Sequence, residues 1–95
     1  MPTLSQTEAQ TKLRDLPGWE IDGNAIRKQF VLKDFPTAVE FVSRLVPGAE
    51  AADHHPDILI NYRKVTLTYT THSEGGLTDK DFAGAAMAER VSKTL

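Results

Sequence analysis

The chain of 95 residues is long enough for one domain, residues 1–95, with one hydrophobic core, and too short for an added regulatory module. Its 11 basic and 13 acidic residues give a net charge of -2, which excludes the strongly basic surface typical of nucleic-acid-binding and membrane-binding domains. Because cysteine is absent, disulfides, thiolate nucleophiles and cysteine-based zinc sites are excluded as well.

The N-terminal segment predicts a helix rather than a targeting signal. Residues 1–10 lack the basic region and the apolar region of a secretory signal. Ser5 and Glu8 have the spacing of a capping box, which predicts that a helix begins there and stops at Pro17. Since no apolar run of the chain approaches the ~20 residues that cross a bilayer, we expect a soluble cytoplasmic protein.

A β-hairpin is predicted next. Residues 19–21 form a short strand and residues 25–32 a longer one, both rich in aromatic and branched side chains. The Asp22-Gly23-Asn24 segment between them is a strong hairpin signal, because Asp-Gly adopts the positive φ angles that tight turns require. The two strands are therefore expected to pair in an antiparallel manner.

A second helix is predicted to begin after Asp34, which can cap it. Apolar residues then recur at intervals of three and four, as in an amphipathic helix: Phe35, Ala38, Val39, Val42, Leu45, Val46 and Ala49. Pro47 and Gly48 fall inside this pattern. We therefore expect the helix to end or kink at Pro47.

Two more strands and a third helix complete the prediction. The strands cover residues 58–62 and 64–71, and in the second one apolar residues alternate with threonines, a half-buried pattern. His72 continues the threonine phase, so it should point away from the helix-packed core. Thr78 should open the last helix, with five candidates for the core: Phe82, Ala86, Met87, Val91 and Leu95.

These elements predict an α+β fold with two layers, a four-stranded antiparallel sheet with helices on one face, in the order α-β-β-α-β-β-α. The other face would be open to solvent, to a ligand or to a second subunit. A domain of this size is only marginally stable alone, which favours self-association.

The chain has three histidines, His54, His55 and His72, and all of them flank the last two strands. If these strands form a hairpin, the loop before the first and the end of the second lie at one edge of the sheet, and the imidazoles converge. An imidazole titrates near neutral pH, so it can both give and take protons. A single histidine is usually a solvated surface residue, but three on one edge favour an acid–base site.

Other interpretations of these residues are weaker or remain open. A metal site is disfavoured because adjacent residues in extended backbone point to opposite sides, and Pro56 biases His55 toward that geometry. Asp81 lies three residues after Thr78, where it would complete a helix cap, and from the residues alone we favour capping. Glu50 is typical of a solvated helix residue. The residues themselves thus predict a histidine acid–base site without metal or covalent nucleophile.

The segment 50–57, Glu-Ala-Ala-Asp-His-His-Pro-Asp, resembles the signature of the pterin-4a-carbinolamine dehydratases. The family's later positions are matched by the aromatic Tyr62, by His72 after nine intervening residues, and by Asp81 after Gly-Leu-Thr. Residues 16–19, 28–30 and 33–35 also look like family segments. The resemblance therefore covers nearly the whole chain.

The resemblance implies dehydration of a 4a-hydroxytetrahydropterin to the quinonoid dihydropterin, which recycles the cofactor of aromatic amino-acid hydroxylases. It implies no cofactor for the dehydratase itself, and a homodimer or homotetramer. His54 and His72 are expected to be the principal acid–base pair. His55 would orient the substrate or share proton transfer, and Asp81 would set the charge and tautomer of a nearby imidazole.

By the same resemblance, the pterin ring should lie against Pro56 and against the segment that contains Thr71, Ser73 and Glu74. Glu50 would contact the site or support it. Some relatives of this family are also dimerisation cofactors of a homeodomain transcription factor, and others assist the assembly of a carboxylating enzyme. A non-catalytic dimerisation or assembly module is therefore the alternative, although the complete set of histidines favours the enzyme.

Overall fold

The computed structural model describes residues 3–95 and contains the predicted order of elements. A short 3-10 helix, His72–Glu74, precedes the last α-helix. The elements are α1 (Gln6–Leu13), β1 (Glu20–Asp22), β2 (Ala25–Val31), α2 (Phe35–Ala52), β3 (Asp57–Asn61), β4 (Lys64–Tyr69) and α3 (Asp79–Ser92). The α+β class and the antiparallel four-stranded sheet are confirmed. Within residues 3–95, no helix combines the length and apolar character needed to span a membrane.

The sheet has the strand order β1-β2-β4-β3, so β4 is a central strand between β2 and β3. All three pairings are antiparallel, and Asp57 at the start of β3 lies opposite Thr68 near the end of β4. The residues just before β3 and just after β4 therefore lie at the same end of the sheet. This topology brings His54 and the Thr71–His72 segment to one region, as the sequence predicts.

The core lies between the sheet and the helices α2 and α3. The apolar members of the predicted β4 alternation, Val65, Leu67 and Tyr69, are all fully buried, although Thr66 between them is buried as well. Helix α2 contributes Ala38, Phe41, Leu45 and Ala49 to the core. The predicted apolar stripe of this helix was too wide, because its outer members remain exposed: Phe35, Val39 and Val46.

Of the two outcomes predicted at Pro47, an end or a kink, the end is wrong, since the helix continues to Ala52. Proline removes one backbone donor and crowds the carbonyl of Ser43, but both residues are exposed, where water can satisfy that carbonyl. The buried side chains of Leu45 and Ala49 hold the helix to the core on both sides of the proline. Packing thus outweighs the local disruption.

Several predicted boundaries shift by one to three residues. Strand β3 begins at Asp57, and Tyr62 lies in the following turn with φ 54°. Strand β4 ends at Tyr69, so Thr71 belongs to the connection that leads to the 3-10 helix. In α3, Leu95 is 42% exposed rather than buried, because the core positions of this helix are filled by Phe82, Ala85 and Ala88.

Candidate functional site

His54 is held at the end of α2 by a change of backbone direction. Asp53 adopts the left-handed conformation with φ 49°, and the backbone N–H of His54 then donates to the carbonyl of Ala49 at 3.1 Å. This turn directs the imidazole toward α3, where its Nε2 lies 2.6 Å from Oδ1 of Asp81. The side chain of His54 is 10% exposed and that of Asp81 is fully buried.

A chain of hydrogen bonds fixes the Asp81 carboxylate. Its Oδ2 accepts from the backbone N–H of Thr78 and from the hydroxyl of Thr71, both at 2.9 Å. The two threonine hydroxyl oxygens lie 2.8 Å apart. Since the only hydroxyl proton of Thr71 points to Asp81, the hydroxyl of Thr78 must be the donor to Thr71. Thr78 Oγ1 in turn accepts from the backbone N–H of Lys80 at 3.3 Å.

The hydrogen-bond relay (Lys80, Thr78, Thr71, Asp81) therefore runs in one direction and ends on the carboxylate. Aligned bonds of this kind polarise one another, which strengthens the set. A carboxylate only accepts hydrogen bonds, so His54 donates Nε2–H to Asp81. This arrangement leaves Nδ1 of His54 as the ring nitrogen that is available to a bound molecule.

The two interpretations of Asp81 are therefore compatible. The predicted cap is confirmed, because Thr78 and Asp81 form a complete capping box at the start of α3. That cap uses Oδ2, whereas the contact with His54 uses Oδ1. One carboxylate thus serves both the helix terminus and the imidazole.

Tyr69 supports the other side of His54 and was missed by the sequence analysis. The two rings are stacked, with centroids 6.0 Å apart and planes 22° apart. The buried hydroxyl of Tyr69 has no hydrogen-bond partner in the described chain. Burial raises the pKa of Tyr69 to about 12, and the charge of Asp81 adds to the shift, so the phenol stays neutral. The only indication in the sequence was that Tyr69 falls on the apolar face of the β4 alternation and is therefore expected to be buried.

Gly84 on α3 leaves the space that the Tyr69 ring occupies. A Cβ atom at this position would lie 2.5 Å from Cε1 of Tyr69, closer than real Cβ contacts allow. The Tyr69 ring is fully buried and cannot move away freely. Gly84 is therefore required for the ring to pack beneath α3 and beside His54.

His55 points away from His54, as expected for adjacent residues of an extended segment. Its Nε2 lies 2.5 Å from Oε2 of Glu50, and the two side chains are 54% and 68% exposed. Pro56 and these two residues line a pocket of about 240 Å³ between α2 and β3. The adjacent histidines thus belong to different surfaces, and each has its own carboxylate.

The remaining predicted residues lie in the loop after β4. His72, Ser73 and Glu74 are exposed in the 3-10 helix, and His72 lines a shallow depression with Asn24 and Thr70. No hydrogen bond links His72 to either of the other imidazoles in the part of the chain that the structure describes. Thr71 is buried, so its hydroxyl serves the relay rather than the surface.

A groove of about 360 Å³ between α2 and α3 begins at His54. Its size lies within the range of small-molecule pockets. Small side chains form its walls, and two cations, Lys80 and Arg90, line it as well. Neither cation is predicted from the sequence, because exposed lysine and arginine residues carry no signal of their own. Within residues 3–95, no group of three or more His, Asp or Glu side chains is placed to hold a metal ion.

Comparisons with known proteins identify the family of this chain. A family model described as Pterin 4 alpha carbinolamine dehydratase matches residues 2–91. A relative from Roseiflexus sp. (strain RS-1) is 52% identical over 88 residues, which cover 93% of this chain and 95% of the relative. A relative from Sulfolobus acidocaldarius is 40% identical over 90 residues, which cover 95% of this chain and 96% of the relative. Both carry pterin-4-alpha-carbinolamine dehydratase as a provisional name.

A crystal structure from Brucella melitensis, described as a transcriptional coactivator/pterin dehydratase, has the same fold. It matches with a TM-score of 0.89 and 38% identity, covering 94% of this chain and 97% of that chain. Together with the family match over nearly the whole sequence, these similarities establish that the chain belongs to the pterin 4 alpha carbinolamine dehydratase family.

Proposed function

We propose that this protein dehydrates a 4a-hydroxytetrahydropterin to the quinonoid dihydropterin by histidine acid–base catalysis, without a cofactor. The observation that carries the proposal is the His54–Asp81 pair, which lies at the mouth of a groove of about 360 Å³ and is fixed by the relay. Family membership and the names of the relatives support the same reaction.

The reaction needs one proton delivered and one removed. The C4a–O bond breaks, and an acid protonates the departing oxygen so that it leaves as water. A base takes the proton from N5, and the electron pair of that N–H bond forms the C4a=N5 double bond. A neutral imidazole can serve as the base and an imidazolium as the acid, so two histidines complete one cycle with no net change.

His54 takes part through Nδ1, because Nε2 is bound to Asp81. His72 is the second member of the pair. It lies at the same end of the β3–β4 hairpin and directly follows Thr71, whose hydroxyl bonds Asp81. Asp81 acts as a positioning residue, since it holds the tautomer and the plane of the His54 ring.

The exposed residues of the predicted site contact or orient the pterin. His55, held by Glu50, orients the substrate or shares proton transfer from the outer side of the sheet edge. Pro56, Ser73 and Glu74 are expected to border the ring. These roles rest on the resemblance alone.

Turnover of freshly generated 4a-hydroxytetrahydropterin tests the proposal. The wild-type protein should accelerate the loss of this intermediate, and His54→Ala should lower the acceleration about 100- to 10,000-fold while the fold is retained. Circular dichroism and thermal unfolding verify the fold of the variant. A folded His54→Ala protein with full turnover would exclude the assignment.

Self-association as a homodimer or homotetramer is part of the same proposal. Large apolar side chains remain exposed on α2 and β3, among them Val46 at 53% and Leu59 at 56%. Light scattering on the purified protein gives the oligomeric state directly. A protein that stays monomeric at all concentrations would contradict this expectation.

A non-catalytic assembly module is the second candidate function. The relative from Brucella melitensis is described as a transcriptional coactivator as well as a pterin dehydratase, which favours keeping this candidate. A folded wild-type protein without any dehydratase activity would favour the module. An aromatic amino-acid hydroxylase in the same cell would favour the enzyme, because its product is the proposed substrate.

A further inference from the structure

The groove between α2 and α3 extends well beyond the His54–Asp81 pair. On α3, its lining residues Lys80, Ala83, Met87 and Arg90 follow one another along a single face. Lys80 immediately precedes Asp81, so this cation lies at the His54 end. Arg90 lies ten residues further along the same helix, which places it about 15 Å away. The groove is therefore longer than the dehydration of a pterin ring requires.

The groove is narrow, and its walls are mostly apolar. Helix α2 contributes Gly48, Ala51 and Ala52, and α3 contributes Ala83 and Gly84. A Cβ atom at Gly48 would lie 2.9 Å from Sδ of Met87, which shows that the helices approach closely at this point. Small side chains on both helices leave room for a flat group, and the Met87 thioether is a favourable neighbour for an aromatic ring.

The charges along the groove have one sign. Neither the Lys80 nor the Arg90 side chain forms an ion pair among residues 3–95, although Asp79 beside Lys80 pairs with Lys12. A cation in the first turn of a helix opposes the helix dipole, so the position of Lys80 does not serve helix stability. Two unpaired cations beside an apolar wall attract an elongated molecule that carries negative charge.

We propose that this groove binds the side chain of the substrate, and that the substrate class includes 4a-hydroxytetrahydrofolates, in which the pterin carries an aminobenzoyl-glutamate group. This inference rests on the proposed dehydratase function. The pterin ring lies at His54, the benzoyl ring lies over Ala83 and Met87, and the glutamate carboxylates reach Arg90. A guanidinium binds a carboxylate through two parallel hydrogen bonds. The chemistry at C4a and N5 is unchanged.

A short anionic side chain fits the observations less well. A phosphate ester close to the pterin ring would reach Lys80 but not Arg90, which lies about 15 Å further along the helix. An extended spacer is needed to use both cations and the apolar wall between them. The carboxylate at the end of a folate side chain meets that requirement.

Substrate selectivity tests this inference. The measured quantity is the ratio of kcat/KM for 4a-hydroxytetrahydrofolate to kcat/KM for 4a-hydroxy-6-methyltetrahydropterin, which lacks the long side chain. Arg90→Gln should lower this ratio about tenfold, because it removes the charge and the paired hydrogen bonds to the carboxylate at an exposed position, where water weakens their contribution. Ala83→Leu, an exposed position where leucine suits the helix, should lower it as well by filling the groove.

Lys93→Gln is the matched control, because this exposed cation caps α3 and does not line the groove. The inference is overturned if neither Arg90→Gln nor Ala83→Leu lowers the ratio, or if Lys93→Gln lowers it equally. If the wild-type protein accelerates neither substrate, the dehydratase proposal fails. Calorimetric titration with tetrahydrofolate then still decides the groove: it stands if Arg90→Gln weakens binding about tenfold, and it falls if the two proteins bind alike.

Discussion

His54 and His55 are adjacent in sequence but have opposite environments. The N–O distances to their carboxylates are similar, 2.6 Å for His54 and 2.5 Å for His55. The difference lies in the carboxylates themselves. The Asp81 carboxylate is fully buried and accepts two further hydrogen bonds, whereas the Glu50 carboxylate is 68% exposed and accepts no other hydrogen bond within residues 3–95. A short contact alone therefore does not define a fixed imidazole; the partner must also be fixed.

This contrast has a simple structural origin. Extended backbone places adjacent side chains on opposite sides, so one imidazole turns to the interface of α2 and α3 and the other to the outer edge of the sheet. On the inner side, the capping box of α3 has already fixed a carboxylate. On the outer side, Glu50 belongs to the last turn of α2 and retains its rotational freedom.

The largest expected effect is the difference in catalytic activity between variants of the two histidines. His54→Gln should lower kcat about 100- to 10,000-fold, since it removes the group that transfers a proton beside the fixed carboxylate. His55→Gln should lower kcat by a clearly smaller factor, because an exposed pair positions the ring weakly. Steady-state turnover of both folded variants gives the comparison. An equal or larger loss in His55→Gln would reverse the assignment of the principal catalytic histidine.

The second prediction concerns the carboxylate that holds His54. Asp81→Asn should lower kcat about 10- to 100-fold, since the amide either loses the bond from Thr71 or offers an N–H to His54 and forces the other tautomer. The helix cap is retained in the second orientation, in which the amide oxygen replaces Oδ2 and still accepts from the Thr78 N–H. In the first orientation the amide NH2 replaces Oδ2, and the cap bond is lost together with the bond from Thr71.

Asp79→Asn is the matched control, since Asp79 is an exposed acid in the same helical turn. Its activity should equal that of the wild-type protein. The ¹⁵N shifts of the His54 ring report the tautomer, which a purely structural change would leave as Nε2–H. An unchanged tautomer and an unchanged kcat in Asp81→Asn would show that the pair serves only the fold.

The third prediction tests how the His54 ring is supported from the sheet. Gly84→Ala should destabilise the protein by about 1–3 kcal/mol, because the new methyl group meets the buried Tyr69 ring. Gly48→Ala is the matched control, since its methyl group meets the flexible end of Met87 and alanine favours a helix. Chemical denaturation measures both. Equal stability of the two variants would show that the Tyr69 ring adjusts without cost.

The sequence predicted those features that depend on neighbours along the chain. The capping boxes at Ser5 and Thr78 and the Asp22-Gly23 turn are local patterns, and these were confirmed. The alternation of β4 was confirmed for its apolar residues. Antiparallel pairing alone also placed His54 and the end of β4 at one edge. Since these signals fix the order of elements and the topology, most of the fold could be predicted.

The features that the sequence did not predict depend on contacts between segments that are distant along the chain. Helix α2 continues through Pro47 because buried residues before and after the proline pack against the core. The close packing of Tyr69 against Gly84 joins a strand to a helix. The relay joins Thr71 to Asp81. The sequence predicted that Asp81 caps α3, but it did not predict that the other oxygen of this carboxylate contacts His54. The groove cations Lys80 and Arg90 have meaning only once two helices lie side by side.

The smallest expected effect is on the outer pair. Glu50→Gln should change the free energy of unfolding by less than about 1 kcal/mol, because an exposed ion pair contributes little and both side chains are hydrated. This change in the free energy of unfolding should be smaller still at high salt, because salt screens exposed charges. Denaturation at low and high ionic strength measures both quantities. A loss above about 2 kcal/mol, independent of salt, would mean that the outer pair is buried in the native assembly, and the contrast between the two histidines would then hold only for an isolated chain.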